Sequence, residues 1–274
     1  MLIDILSFSC PLLLCSFAAL FTEYAGSLAL FLEGLVTFSA FVFYSLFYCL
    51  GSVIPSALLT ILLITLIIFA FSYLIERFRA HKFIAGTALN LFFTSMTSFL
   101  SVMFFKTRGV LTNPSYSFDV NTTKILTIII TGLIVVLSVL FLSKTRIGLY
   151  LRITGTDSDV LTAKGVNPKV ERILSWTLAG TFCSLAGIFL TLRISSFVPG
   201  ISSGRGWMAL AAIFLGRKKP LIMLTAVVIF CATDYFGVHI QNIFPGIPSS
   251  ILLSLPYVVA LLLTMMGKRE KSLV

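Results

Sequence analysis

A chain of 274 residues with 58% hydrophobic and only 11% charged side chains, and a mean hydropathy of +1.06, lacks the charge needed to coat a water-soluble domain, which is roughly one quarter charged. That excludes a cytosolic enzyme, a secreted disulfide scaffold and a sequence-reading nucleic-acid protein. The uncharged runs of about 20 residues, the length of a bilayer span, instead describe an all-α polytopic membrane protein lodged in the lipid bilayer. Its formal charge of +10 is then a record of topology rather than of a polyanionic partner.

The amino-terminal stretch from Met1 to Leu20 is apolar, carries Asp4 and holds neither Lys nor Arg. It lacks the basic start of a secretory signal and reads as the first span. Between Glu33 and Glu76 lie 42 uncharged residues, too many for one helix, and Gly51, Ser52 and Pro55 mark a turn between spans near 35–50 and 56–75. Further uncharged windows run from Phe83 to Phe105, Ile125 to Ser143, Ile173 to Leu192 and Leu221 to Thr233. The stretch from Tyr235 to Gly267, broken by Pro245, Gly246 and Pro248, holds the end of one helix and one whole further span. The count is about eight. The five cysteines, Cys10, Cys15, Cys49, Cys183 and Cys231, show no paired metal spacing and read as small buried hydrophobes, with no metal site implied.

Segments 76–82, 143–172, 216–219 and 267–274, placed on one side, gather 15 of the 20 basic residues. By the positive-inside rule that side, with the C-terminus, is cytoplasmic. Lys106, Arg108, Lys124, Arg193 and Arg205 remain for the other side or the membrane. The chain must recross between Arg193 and Arg217, and only the 11 residues Gly206–Gly216 are apolar enough to do it. At 1.5 Å per residue they cover about half of the hydrocarbon. With Pro199, Gly200 and Gly204 just before them, they predict a dipping loop joined to a half-helix, a discontinuous segment over 194–216. Glu23, Gly26, Glu33 and Gly34 predict a second discontinuous segment near 23–34. An intramembrane carboxylate needs a reason: Glu33 faces a translocation path, pins two helices, or sits at the interface in a short loop.

Four stretches carry a family resemblance. Phe21, Glu23, Ala25, Gly26, Leu32, Glu33 and Gly34 form the first, and residues 84–91, from Ile84 through Asn90 to Leu91, the second. Thr145, Arg146, Gly148, Leu149, Leu151, Arg152, Gly155, Ala163, Lys164, Gly165 and Val166 form the third. The fourth is Gly204, Arg205, Gly206, Trp207, Ala209–Phe214, Gly216 and Pro220, followed by Leu255, Pro256 and Tyr257. In order and spacing they resemble the membrane permease subunit of bacterial ABC importers of the ribose, simple-sugar and nucleoside type, within the branched-chain permease superfamily. The resemblance implies one permease domain over 1–274 in the cytoplasmic (inner) membrane. It also implies a second permease subunit, homologous or identical, ABC ATPase subunits and an extracytoplasmic solute-binding protein.

The resemblance further implies that loop 143–172 docks on the ATPase through Gly148, Arg152, Gly155, Asp157, Ala163, Lys164 and Gly165. From the residues themselves, Thr156 or Asp157 can cap a short helix there and Gly165 can end it in the left-handed conformation. No P-loop signature is present in this chain, so it has no cofactor of its own, and ATP and Mg fall to the partner ATPase.

Candidates for the path are Glu33, Asn90, Thr94, Ser95, Ser202, Ser203, Arg205 and Asp234, the last near an outer helix end. Thr94 and Ser95 can equally bond backbone carbonyls, and Asn90 can bond a solute edge or a neighbouring helix. The resemblance implies a nucleoside, riboflavin or a simple sugar as solute. Two other classes compete. An ion-coupled secondary transporter would use Glu33 and Asp234. An intramembrane serine protease would use Ser202, in Gly200-Ile201-Ser202-Ser203-Gly204, with His239 from an outer loop.

Overall fold

The computed structural model describes residues 2–114, 116, 118–243 and 249–266. The long helices are α1 (Leu2–Tyr24), α2 (Leu32–Leu50), α3 (Val53–Arg77), α4 (Lys82–Phe105) and α5 (Val120–Lys144), then, after two short helices, α8 (Pro168–Ile194), α10 (Pro220–Ile243) and α11 (Ser249–Met266). The short ones are α6 (Arg146–Thr156), α7 (Ser158–Ala163) and α9 (Arg205–Leu215). Among the described residues seven helices are long and apolar enough to cross a membrane, and α11 follows them with 18 residues. The break expected at Pro245, Gly246 and Pro248 and the basic residues Lys268, Arg269 and Lys271 lie outside the described residues.

The peripheral helices are patterned inside out relative to a soluble protein. α3 buries Ser56, Thr60, Ile64, Ile68 and Ser72, one residue per turn, while Leu58, Leu62, Leu66 and Phe69 stay exposed. α5 likewise buries Thr127, Thr131 and Ser138 and exposes Ile129, Leu133, Val136 and Leu140. Small hydroxyl residues let helices approach closely, and a hydroxyl can be satisfied within its own helix. Thr60 donates to the Ser56 carbonyl at 2.7 Å and Ser138 to Ile134 at 2.6 Å. The apolar outer faces require hydrocarbon or a partner chain.

The centre is α8, packed along α1, α2 and α3. It runs antiparallel to α1. Arg193 near its C-terminus lies 4.6 Å from the ring of Phe8 at the start of α1, and Trp176 near its N-terminus donates to Ser27 just after α1 at 2.9 Å. Gly187 makes the closest approach to α2, where a Cβ would fall 2.2 Å from Ser39 Oγ and 2.7 Å from the Val36 carbonyl.

Both expected interruptions exist. α1 runs unbroken to Tyr24, and seven non-helical residues, Ala25–Phe31, lead into α2. Ala25, Ala29 and Phe31 are fully enclosed, so this irregular backbone is buried in protein, as a membrane requires. The second break, Ser195–Gly204, precedes the 11-residue half-helix α9. One end of the bundle collects the basic residues: Lys82 and Arg172 flank Glu76 at 3.4 and 3.9 Å, and Lys218 pairs with Glu23 at 2.9 Å. At the other end Lys124 pairs with Asp4 at 2.7 Å.

Three expectations are corrected. His239 is not in a loop, because α10 continues to Ile243 and stacks it on Tyr235 at 6.2 Å. Asp234 sits well inside the same helix rather than at its end. Cys49 is exposed, unlike the other four cysteines.

Candidate functional site

The two breaks meet at Glu33. Its carboxylate crosses from the first turn of α2 to the amino end of α9. One oxygen accepts from the Ser202 hydroxyl and from the Gly204 amide at 2.7 Å, and the other accepts from the Gly206 amide at 2.8 Å. A helix start leaves its first amides without partners and carries partial positive charge. α9 has no side-chain cap of its own, because its N-cap is Gly204; Glu33 supplies the missing acceptor from another helix. Thr37, one turn along α2, shares a hydrogen bond with Ser202 at 2.9 Å.

Two glycines make the approach possible. A Cβ on Gly206 would lie 2.5 Å from the Glu33 amide nitrogen. Gly204 combines φ +80°, which L side chains rarely adopt, with a Tyr257 hydroxyl 1.8 Å from where its Cβ would sit. On the far side of α2, Asn90 Oδ1 accepts from the Gly34 amide at 2.6 Å. The carboxylate and the amide thus hold α2, α4 and α9 together at one level.

The other candidates divide between two faces. Ser203, Arg205 and Asp234 line a cavity of about 470 Å³ with Phe8, Pro256 and Tyr257. Arg205 is 8% exposed, donates to the Ser202 carbonyl at 3.2 Å and lies 5.1 Å from the Phe8 ring. Thr94 and Ser95 are exposed on α4, away from this cavity, and Thr94 donates to the Asn90 carbonyl at 2.8 Å. Ser202 is buried with its hydroxyl on Glu33 and Thr37, while His239 keeps to Tyr235; the contacts of neither residue make a nucleophile and base pair. Phe8 and Thr37 gave no signal in the sequence, whereas Tyr257 stood in a motif without an assigned place.

At the basic end, α6 and α7 form a bent pair. Thr145 caps α6 through the Gly148 amide at 3.1 Å, and Asp157 caps α7 through Asp159 at 3.0 Å. Gly165 follows with φ +75°. α7 is the short helix expected between Asp157 and Gly165, whereas α6 was not expected. α6 is pressed on the break after α1: a Cβ on Gly155 would fall 2.3 Å from the Tyr24 carbonyl oxygen and 2.8 Å from the Gly26 nitrogen. Arg152 stacks on Tyr24 at 5.2 Å, and the Tyr24 hydroxyl donates to the Lys218 carbonyl, just after α9. Leu161 anchors α7 inside, whereas Asp157, Ala163, Lys164 and Gly165 face outward, near exposed Val160 and Val170.

A multi-pass helical bundle with two broken elements locked together, and a helical pair projecting from its basic end, has the architecture of a membrane transport component. The chain belongs to the family described as branched-chain amino acid transport system / permease component, which matches residues 1–266. It is 27% identical to the guanosine ABC transporter permease protein NupQ of Bacillus subtilis (strain 168), over 94% of this chain and 88% of that one. It is 29% identical to the nucleoside ABC transporter permease protein NupC of Lactococcus lactis subsp. cremoris (strain MG1363), over 94% and 89%. A shorter match, 32% identical over 87 residues, joins it to the ribose import permease protein RbsC of Escherichia coli (strain K12), covering 32% of this chain and 27% of that one. Among solved structures, PsaBC from Streptococcus pneumoniae in complex with Fab shares the fold, with a TM-score of 0.54 at 14% identity, covering 98% of this chain and 92% of that one.

Proposed function

We propose that this chain forms half of the membrane channel of an ATP-driven importer for a nucleoside-like solute. It pairs with a second permease, identical or homologous, and with ABC ATPase subunits that hold ATP and Mg, and it takes its solute from an extracytoplasmic binding protein. The basic end, and the C-terminus with it, faces the cytoplasm of a cell whose inner membrane houses the complex. The observation that carries this reading is the continuous contact from α6 to the Glu33 junction. Motion imposed on the α6–α7 pair passes through Gly155 to Gly26, along the seven residues of the break, and into the α2 turn that holds α9.

Alternating access then amounts to moving one broken element against the other around a solute held near the membrane midplane. The cavity beside Arg205 supports the solute class. At about 470 Å³ it falls in the range of small-molecule sites, roughly 300–1,000 Å³. The Arg205 guanidinium and Ser203 and Tyr257 hydroxyls supply donors, Asp234 supplies an acceptor, and Phe8 and Tyr257 supply ring faces for a planar solute. The nucleoside permeases that match nearly the whole chain support the same class.

Ala163→Glu tests the docking assignment. The residue is exposed at the end of α7, so added charge leaves the bundle intact while blocking a partner surface. The expected result is normal membrane levels with solute uptake reduced about tenfold or more, the effect of a like-charge or desolvated contact at an interface. Undiminished uptake contradicts docking through α7.

A further inference from the structure

At the end of the bundle opposite the basic loops, the chain between α4 and α5 forms a strap. Among the described residues it comprises Lys106–Pro114, Tyr116 and Phe118. Rings bolt it to α2: Tyr116, 1% exposed, packs against Phe43, Tyr44 and Phe47 with centroids 6.3, 5.1 and 4.7 Å away, and Phe118 meets Phe47 at 5.7 Å. Hydrogen bonds clip it to the second break. Leu111 and Phe197 exchange both of their amide–carbonyl bonds, at 2.9 and 3.0 Å, and the Phe118 amide donates to Ser195 Oγ at 3.3 Å. α2 grips the same break along one face, since residues four apart on a helix are neighbours: Phe41 meets the Phe197 ring at 5.4 Å, Thr37 meets Ser202 at 2.9 Å, and Glu33 holds the Gly204 and Gly206 amides. The strap closes the outer end of that row. A pull on it acts first on Phe197 and then, along α2, on the Glu33 junction.

The outer surface of the strap is charged. Lys106, Arg108 and Val110 are exposed, and among the described residues neither cation makes an ion pair. The other charges at this end are engaged: Lys124 pairs with Asp4, Arg193 and Arg205 lie over the Phe8 ring, and Asp119 caps α5. Backbone that is already fixed presents its charges without a further ordering cost, which favours a protein surface as partner. We propose that Lys106 and Arg108 dock an acidic face of the solute-binding protein, and that docking draws Leu111 off Phe197 and loosens the outer end of the α2 grip. This rests on the importer reading, which requires such a partner at this end. Solute delivery then reaches the Glu33 junction from outside, as the ATPase reaches it from inside through α6.

The test is the affinity of a candidate solute-binding protein, loaded with guanosine, for the full transporter complex in phosphatidylcholine nanodiscs. Lys106→Glu combined with Arg108→Glu should weaken binding about tenfold or more, because like charges now face each other across the contact, and should remove the loss of affinity with added salt that screening imposes on the unaltered chain. Arg79→Glu at the opposite end should leave the affinity unchanged. Binding by the unaltered chain that the double reversal neither weakens nor makes less salt-dependent overturns the docking surface alone. No binding by the unaltered chain to any such protein overturns the importer reading and this proposal with it. An effect of the reversal that appears only when phosphatidylglycerol is added would assign the two charges to lipid headgroups and overturn the protein partner. Hydrogen exchange on the unaltered complex reads the release: the Phe197 amide should exchange faster once the loaded binding protein is bound, and an unchanged or slower rate overturns the pull on the break.

Discussion

Replacing Glu33 by alanine should lower the melting temperature by about 6–12 °C and abolish uptake. The substitution leaves the Gly204 and Gly206 amides and the Ser202 hydroxyl without their acceptor, in a half-buried junction. Each orphaned donor costs about 1–3 kcal/mol, so the total is roughly 3 kcal/mol or more, and 1 kcal/mol corresponds to about 2–4 °C in a chain of this size. Glu33→Gln should be almost as damaging, because the amide places a donor where the α9 amides also donate and removes the charge that the helix start favours. Ser202→Ala, by contrast, removes the hydroxyl's bonds to Glu33 and Thr37 and leaves both amides satisfied, a loss of about 1–2 kcal/mol. Thermal unfolding of the three variants checks that order. Indistinguishable melting temperatures would mean that Glu33 does not hold the junction.

Gly155→Ala should separate energy use from transport. The new Cβ would lie 2.3 Å from the Tyr24 carbonyl oxygen and 2.8 Å from the Gly26 nitrogen. Both are backbone atoms, so no side chain can rotate away, and α6 must lift off the break it presses on. Overpacking of this kind costs about 1–3 kcal/mol, which α6, held to the bundle by a few side chains such as Leu151, meets by shifting locally rather than by unfolding the membrane core. The expected outcome is normal insertion, continued ATP hydrolysis by the assembled complex and uptake reduced about tenfold or more. Gly132→Ala on α5 is the control, since nothing lies within 4 Å of its Cβ position, and it should behave as the unaltered chain. Parallel loss of hydrolysis and uptake in Gly155→Ala would mean that α6 serves assembly rather than transmission.

What could be read from the residues alone follows from what each feature depends on. Spans depend on hydropathy and length, and the windows at Phe83–Phe105 and Ile125–Ser143 needed only a few residues added at their ends to become α4 and α5. The half-helix was legible because geometry forced it: 11 residues cannot cross the bilayer, and α9 spans Arg205–Leu215. The break near Glu33 was legible from Gly26 and a carboxylate where lipid forbids both. The partners of Glu33 were not, since Ser202 and Gly206 lie about 170 residues away and their meeting depends on how α1 and α8 pack. α6 escaped notice because its apolar residues sit among Arg146 and Arg152 and its tether is a glycine contact, which leaves no pattern in one sequence. His239 was misplaced because Gly237 and the polar Gln241 and Asn242 imitate a loop, whereas α10 is long enough to carry them at its end.

That this chain is the membrane half of an ATP-driven nucleoside importer, as proposed, can be decided in cells that express it with a candidate ABC ATPase and solute-binding protein. Uptake of radiolabelled guanosine would be followed with the ATPase intact, with its hydrolytic glutamate replaced, and after a protonophore. Uptake that disappears with the hydrolysis-dead ATPase and survives short exposure to the protonophore is the predicted result. Uptake that persists without ATP hydrolysis and collapses with the ion gradient would contradict it, and would return Glu33 and Asp234 to the role of ion-coupling carboxylates.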